Sequence, residues 1–166
     1  MTQKRNHMLS RLVRGGIGGV VATSAMSAVL VAADKAGFME QPPPRRITKF
    51  FMPRPPTPKP VIDVATLISH FGYGILAGAV FGGVSRKPTL AKGTAYGTAL
   101  WAASYEGWIP ALRIMPPAHR DRKDRALAMV VAHLVYGAVL AAALRRIGPR
   151  HPKGQPKQEG SRDYVI

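Results

Sequence analysis

The sequence contains no cysteine and few acidic residues. Without cysteine it has neither a disulfide framework nor a thiolate metal site. Only 8 of its 166 residues are Asp or Glu, against 24 Lys or Arg, so the net charge is +16. It also lacks a phosphate-binding loop, a dinucleotide fingerprint and a nucleophile–base pattern. These absences favour a protein that is not an enzyme, and we predict no catalytic residue, no metal and no cofactor.

Nearly all of the basic residues lie in the termini and in the loops between apolar segments. Grooves that bind nucleic acid usually combine a basic stripe with interleaved aromatic residues, and no such stripe is present. Basic flanks beside apolar segments are instead expected next to anionic lipid headgroups. We therefore predict a lipid bilayer with anionic headgroups as the partner, and no nucleic acid.

Four apolar segments of about 20 residues divide the chain, which is the helix length that crosses a bilayer core of about 30 Å. A water-soluble bundle would need a polar face on each helix, and these segments have none. We predict an all-α integral membrane protein with four transmembrane helices. They cover about 14–37, 61–84, 89–112 and 126–147.

The chain has room for one domain. We predict a basic N-terminal tail (1–13), a four-helix transmembrane domain (14–147) and a disordered basic C-terminal tail (148–166). The first apolar segment exceeds the 7–15 residues of a signal-peptide core, so we expect it to be retained. The loop 38–60 contains eight prolines, which exclude a helix across most of it. Its exception, Ile47–Met52, is expected either to lie at the headgroup level or to pack on the bundle.

The pattern His-x-x-Tyr-Gly occurs twice, beginning at His70 and at His133. In each case it lies in the second apolar segment of a pair, the first segment of which opens with Gly-x-x-x-Gly. A Pro-rich loop with arginines joins the segments of each pair. The sequence therefore predicts two duplicated helical hairpins, about 14–84 and 89–147, related by an axis along the membrane normal.

Ionisable and polar side chains inside these segments are the candidate functional residues. A histidine within a span is a functional candidate by default, although hydrogen bonding between helices is the structural alternative. His133 is the nearest candidate partner of the only acid in the third segment, and no spacing typical of metal ligands is present. The candidate intramembrane polar site comprises His70, His133, Glu106, Tyr73 and Tyr136.

Glycines four residues apart line one face of several segments. In lipid such faces allow two backbones to approach closely. They indicate either packing within the bundle, which four helices require, or an interface between subunits of a homo-oligomer. The candidate packing glycines are Gly15, Gly19, Gly74, Gly78, Gly82, Gly93, Gly97 and Gly137.

Short motifs in the second half resemble a known family. They are Gly93-x-x-x-Gly97, Ile114-Met115-Pro116-Pro117, and Ala132-His133-Leu134-Val135-Tyr136 followed by Arg145-Arg146. These are similar to motifs of the YagU-like family of small bacterial inner-membrane proteins. The resemblance implies an inner-membrane protein of unassigned molecular activity with a link to acid tolerance, and it supplies no catalytic residues.

The sequence thus predicts a multi-pass protein of the bacterial inner membrane that acts as a structural or accessory module and can oligomerise. The alternative is a small proton-coupled or pH-responsive transporter or channel that uses the intramembrane His and Glu side chains. Thirteen Lys and Arg lie in the termini and the 85–92 connection and ten in the two Pro-rich loops, which places both termini in the cytoplasm. The sequence indicates no particular protein partner.

Overall fold

The described part of the protein is helical. The computed structural model describes residues 2–39, 42–52 and 57–148, and these ranges contain no strand. The helices are α1 (Thr2–Lys35), α2 (Pro43–Phe51), α3 (Lys59–Val84), α4 (Leu90–Trp101), a π-helix (Ala102–Trp108), α5 (Ile109–Ala111), a 3₁₀ helix (Ala118–Arg120) and α6 (Lys123–Ile147). The predicted all-α class is confirmed.

Three helices are long and apolar enough to cross a membrane. They are Arg5–Lys35 within α1, α3 and α6, with mean hydropathies of 1.8, 1.6 and 2.2. Their outer surfaces expose large apolar side chains, such as Ile68 and Leu76 on α3 and Leu127 on α6. Soluble monomers rarely expose extended apolar surface of this kind, so these helices are compatible with a membrane protein.

The fourth predicted span is not a single α-helix. α4 continues at Ala102 into the π-helix, and Gly107 leaves the helical conformation with φ −101° and ψ −107°. Pro110 lies in the first turn of α5, where its missing N–H costs no intrahelical bond. The distortion centres on Gly107, and the helical segment ends at Ala111, one residue after Pro110.

The Pro-rich loop contains the helix α2, which covers most of the predicted exception Ile47–Met52 and four residues before it. α2 begins at Pro43, so Pro43 and Pro44 occupy its first turn, a position that proline tolerates well. Of the segment Ile47–Met52, all but Met52 is helical. The helix therefore begins four residues before the predicted exception, at two of the prolines.

Two polar contacts attach α2 to α3. Arg45 forms an ion pair with Asp63 at 3.2 Å, and the Thr48 and Ser69 hydroxyl oxygens are 3.2 Å apart. Both contacts lie in the first half of α3. They hold α2 against the bundle at the end where α1 finishes.

The two predicted tails differ in what the structure describes. α1 begins at Thr2, so the basic N-terminal tail is helical and continuous with the first long helix. Of the predicted C-terminal tail, 148–166, only Gly148 falls within the described residues.

Three helix pairs pack closely: α1 with α3, α1 with α6, and α4 with α6. A Cβ built on Gly15 would lie 2.9 Å from Cα of Ala79, and one built on Gly137 would lie 2.7 Å from the carbonyl carbon of Gly93. Real Cβ atoms essentially never approach so closely. Main chain therefore meets main chain at these positions.

Tyrosines bridge α3 and α4. The Tyr96 hydroxyl donates to the Ala77 carbonyl oxygen at 2.8 Å, and the Tyr96 ring lies 5.0 Å from the Phe81 ring. Farther along, the Tyr73 hydroxyl is 3.2 Å from the Ser104 hydroxyl in the π-helix. Bridging by large side chains leaves space between these two helices.

Candidate functional site

A cavity of about 280 Å³ lies inside the bundle, next to the contact between Tyr73 and Ser104. Residues from α1 to α6 and from the π-helix line it, and most of its surface is apolar. Small-molecule sites in proteins are typically apolar pockets with a few well-placed polar groups. The lining residues with polar side chains are Thr23, Ser69, His70, Tyr73, Ser104, Trp108, His133 and Tyr136.

The structure brings four of the five candidate polar residues to this one cavity. His70 and Tyr73 reach it from α3, and His133 and Tyr136 reach it from α6. Gly74, one of the candidate packing glycines, also lines it. The two His-x-x-Tyr-Gly patterns, 63 residues apart in the chain, thus converge on one space.

His133 presents a defined tautomer. Its side chain is 6% exposed, and its Nδ1 lies 2.7 Å from the Met129 carbonyl oxygen in the preceding turn of α6. Because a carbonyl can only accept, Nδ1 carries the hydrogen of this bond. In the neutral ring Nε2 is then the acceptor.

His70 is the other histidine of the cavity. Its Nε2 is buried and has no hydrogen-bond partner among the described residues. Leaving a buried polar atom unpaired costs about 1–3 kcal/mol. A polar group bound in the cavity at this position would recover that free energy.

The two tyrosines have different roles. Tyr136 is buried, and its hydroxyl donates to the Gly74 carbonyl oxygen at 2.7 Å, which ties α6 to α3. Tyr73 is 44% exposed and contacts Ser104 at the edge of the cavity. Tyr136 therefore braces the cavity, whereas Tyr73 borders it.

The π-helix shapes the wall opposite α3. Its wider turn brings Ser104 and Trp108 to the cavity, followed by Ile109 at the start of α5. Single-turn π segments within α-helices occur often at functional sites. No sequence signal other than Gly107 and Pro110 indicated this distortion.

Glu106 lies outside the cavity. Its carboxylate oxygen is 3.3 Å from Nδ1 of His119, a partly exposed pair between the π-helix and the following connection. The predicted pairing of Glu106 with His133 is therefore wrong. The irregular helix around Gly107 presents Glu106 to the connection before α6, whereas His133 faces the cavity.

The sequence analysis missed a buried polar cluster at the same end of the molecule. Asp121 accepts hydrogen bonds from Arg125 Nε at 2.9 Å, from a second Arg125 nitrogen, from the Tyr105 hydroxyl and from the Arg122 backbone N–H at 2.7 Å. Tyr105 is fully buried and Arg125 is 5% exposed. The i, i+4 spacing of Asp121 and Arg125 was the available signal, but these residues had been assigned to a charged loop.

The hydrogen bonds keep Asp121 ionised. Burial alone would raise the pKa of its carboxyl group, but the bonds from Arg125, Tyr105 and the Arg122 backbone outweigh burial, and the net pKa is lowered. Asp121 and Arg125 thus form an ion pair in which both carboxylate oxygens of Asp121 accept hydrogen bonds. This arrangement fits a structural role at the start of α6.

No group of three or more His, Asp or Glu side chains within the described ranges is placed to hold a metal ion. The cavity itself contains two imidazoles and no carboxylate. Its chemistry is that of hydrogen bonding to a largely apolar molecule.

No curated protein and no solved structure matches the chain. A family model that matches the chain describes a family of unknown function and does not name the YagU-like family, so that resemblance stays a prediction. The match covers residues 9–154, which include every residue that lines the cavity. The chain belongs to this family of unknown function, DUF6789.

Proposed function

We propose that the protein crosses the membrane four times. The segment Leu90–Ala111 runs antiparallel to α6: Gly93 lies against Gly137, and Tyr105 is bonded to Asp121 just before α6 begins. The segment therefore lies alongside most of α6, which is itself long enough to cross the membrane. At about 1.5 Å per residue a helical segment of this length reaches about 33 Å, despite its π-helical turn.

Four crossings put both termini on one side, and the excess of Lys and Arg there favours the cytoplasm. Reporter fusions after positions 40, 87, 119 and 166 test this topology. We expect outside, inside, outside and inside. An outside signal at 166 would refute the cytoplasmic termini, and equal signals at 87 and 119 would refute the third crossing.

The proposed duplication is supported by close glycine contacts in both hairpins. A Cβ on Gly19 would lie 3.1 Å from the carbonyl carbon of Gly74, and a Cβ on Gly93 would lie 3.0 Å from that of Gly137. The two contacts differ in register by one helical turn, because Gly19 is the second glycine of its Gly-x-x-x-Gly pair and Gly93 is the first of its pair. Gly74 and Gly137 are the glycines of the two His-x-x-Tyr-Gly patterns. In an experimental structure the two hairpins should superpose with Gly74 on Gly137.

The candidate glycines all approach a helix of the same chain. This favours packing within the bundle over a subunit interface, so the glycine faces give little support to a homo-oligomer. The bacterial inner membrane remains our proposed location, on the pattern of basic flanks.

We infer that the cavity binds a small lipid-soluble molecule that carries a hydroxyl group, and that the protein is a non-catalytic binding module. The observation that carries this proposal is the unpartnered Nε2 of His70 in the same apolar cavity as His133. The acceptor nitrogen of His133 suits a hydroxyl donor. An apolar cavity of about 150 Å³ is known to hold benzene, so this larger one accommodates a ring with a short chain.

Tryptophan fluorescence provides the test, because Trp108 lines the cavity and the only other tryptophan is Trp101. In a Trp101→Phe background, 4-bromophenol should quench Trp108 saturably. His133→Phe removes the acceptor nitrogen and should weaken binding by about 2- to 13-fold, the equivalent of one hydrogen bond. His119→Phe is the matched control and should bind normally. Non-saturable quenching, or equal affinity in His133→Phe, would refute the proposal.

The alternative of a proton-coupled transporter is less well supported, because Glu106 does not join His70 and His133 in the cavity. Proteoliposomes under a pH gradient distinguish the two functions. A proton flux that is lost in His133→Phe and kept in His119→Phe would replace binding with transport as the function.

A further inference from the structure

A second pocket, of about 320 Å³, lies between α2 and the segment that follows α5. Three of its lining side chains are cationic, Arg46, Lys49 and Arg113, and the others are Phe50 and Ile114. No acidic side chain of the described ranges lines it. Lys49 and Arg113 carry like charges that repel one another there, and a bound anion relieves that repulsion.

Arg113 lines this pocket and has an unfavourable, left-handed backbone conformation. Its φ is 58°, and it is the only described residue other than glycine with a positive φ. The hydrogen bonds from Arg113 N to the Pro110 oxygen and from Ile114 N to the Ile109 oxygen, at 2.9 and 3.1 Å, close a Schellman turn.

Glycine usually occupies this position of a Schellman turn, because L side chains are strained there. The chain instead carries a cation that lines the pocket. Strain retained at one residue is a reason to look for a function of its side chain.

The position of the pocket indicates which anion it fits. α2 connects the end of α1 to the start of α3, so the pocket lies at the end of the two apolar helices. Next to it the rings of Phe50 and Phe51, 50% and 65% exposed, are in edge-to-face contact. Basic residues beside exposed aromatic rings on a short helix are typical of segments at the membrane interface.

We infer that Lys49 and Arg113 bind the headgroup phosphate of an anionic phospholipid, with Phe50 and Phe51 against its acyl chains. The ion pair of Arg45 with Asp63 fixes α2 on α3 and so sets the position of the two cations of α2. The inference rests on membrane insertion as proposed above, and apart from Phe51 it uses no residue that lines the cavity.

The test measures lipid affinity on the full-length protein in a neutral detergent. Dioleoylphosphatidylglycerol is the probe, dioleoylphosphatidylcholine the zwitterionic reference and inorganic phosphate the soluble anion. Removing two cations with Lys49→Gln and Arg113→Gln should lower the affinity for phosphatidylglycerol by about 20- to 30-fold, or about fivefold per charge. The matched control, Arg86→Gln with Lys87→Gln, removes two cations from the turn at the opposite end of α3 and should change it less than twofold.

Arg113→Gly separates binding from folding. It removes the cation and relieves the left-handed strain, so the melting temperature should stay equal or rise while the affinity for phosphatidylglycerol falls about fivefold. Three results would overturn the inference: wild-type affinity in Arg113→Gly, equal losses in the two double variants, or no preference over phosphatidylcholine. Displacement of the lipid by equimolar inorganic phosphate would overturn the lipid as occupant and assign the pocket to a soluble anion. The topology fusions, which report insertion alone, distinguish failure of this site from failure of the membrane proposal.

Discussion

The contact between α4 and α6 makes Gly137→Ala the most informative substitution. A Cβ at this position would lie 2.7 Å from the carbonyl carbon of Gly93 and 3.1 Å from the backbone nitrogen of Gly97. Both are main-chain atoms in a helix, so they cannot move aside as a flexible side chain could. The new methyl group forces the two helices apart.

The cost follows from the geometry. Ordinary van der Waals contact begins at 3.4 Å, so the distance of 2.7 Å must open by at least about 0.7 Å, and the Gly93 carbonyl oxygen lies closer still. A gap of about 0.5–1 Å forfeits a quarter to a half of each dispersion contact along the interface. Overpacking of this kind costs about 1–3 kcal/mol. For a chain of this size that lowers the melting temperature by about 2–4 °C per kcal/mol.

Gly72→Ala is the matched control. Gly72 lies in the interior of α3, and a Cβ built there meets nothing within 4 Å. Ala should stabilise that helix by about 0.5–1 kcal/mol relative to Gly. Thermal unfolding of both variants in the same detergent should therefore move in opposite directions. If Gly137→Ala melts at or above the wild type, the close approach of α4 and α6 is refuted.

The remaining predictions concern the buried polar contacts. Asp121→Asn leaves the Arg125 guanidinium without its counter-charge and should lower the free energy of unfolding in detergent by about 3–5 kcal/mol. The control is Asp124→Asn, which belongs to an exposed ion pair and should lower it by about 0–1 kcal/mol. Equal effects of the two variants would refute the burial of the Asp121–Arg125 pair. Because the folded-state pKa of Asp121 is lowered, its contribution is complete above the unfolded value of about 3.9 and is lost as the pH falls through the folded value. The melting temperature should thus decline below about pH 4, and less steeply in Asp121→Asn. Tyr136→Phe should cost about 0.5–1.5 kcal/mol, and Tyr73→Phe, whose hydroxyl is at the edge of the cavity, should cost less.

The long helices could be predicted from the sequence because their apolar character is continuous. α3 and α6 begin two or three residues before their predicted starts and end where the predictions placed their ends. Segment 90–111 was also located, but not its π-helical turn. Hydrophobicity reports the length of an apolar run and carries no information on how its backbone hydrogen bonds shift register around Gly107.

The histidines of the candidate site could be predicted from the sequence, whereas the buried ion pair could not. His70 and His133 could be identified because polar side chains within apolar segments are few. Asp121 and Arg125 could not, because a buried ion pair at a helix start has the same sequence appearance as a solvated charged loop. Glu106 was paired with the wrong histidine, since depth along a helix was used without knowledge of the face on which each side chain lies.

The position of the cavity is itself informative if the two hairpins are copies. A twofold relation that exchanges α1 with α4 and α3 with α6 turns the α1–α3 contact into the α4–α6 contact, and both are close. The same operation turns the α1–α6 contact, also close, into a contact between α3 and α4. There the Tyr96 hydroxyl bridges α3 and α4, the Tyr73 hydroxyl bridges α3 and the π-helix that continues α4, and the cavity opens beside the Tyr73 bridge. The proposed symmetry is therefore broken at the α3–α4 pair, next to the cavity that both histidines line. A looser interface of this kind gives up dispersion contacts along its length and leaves room for the binding proposed above.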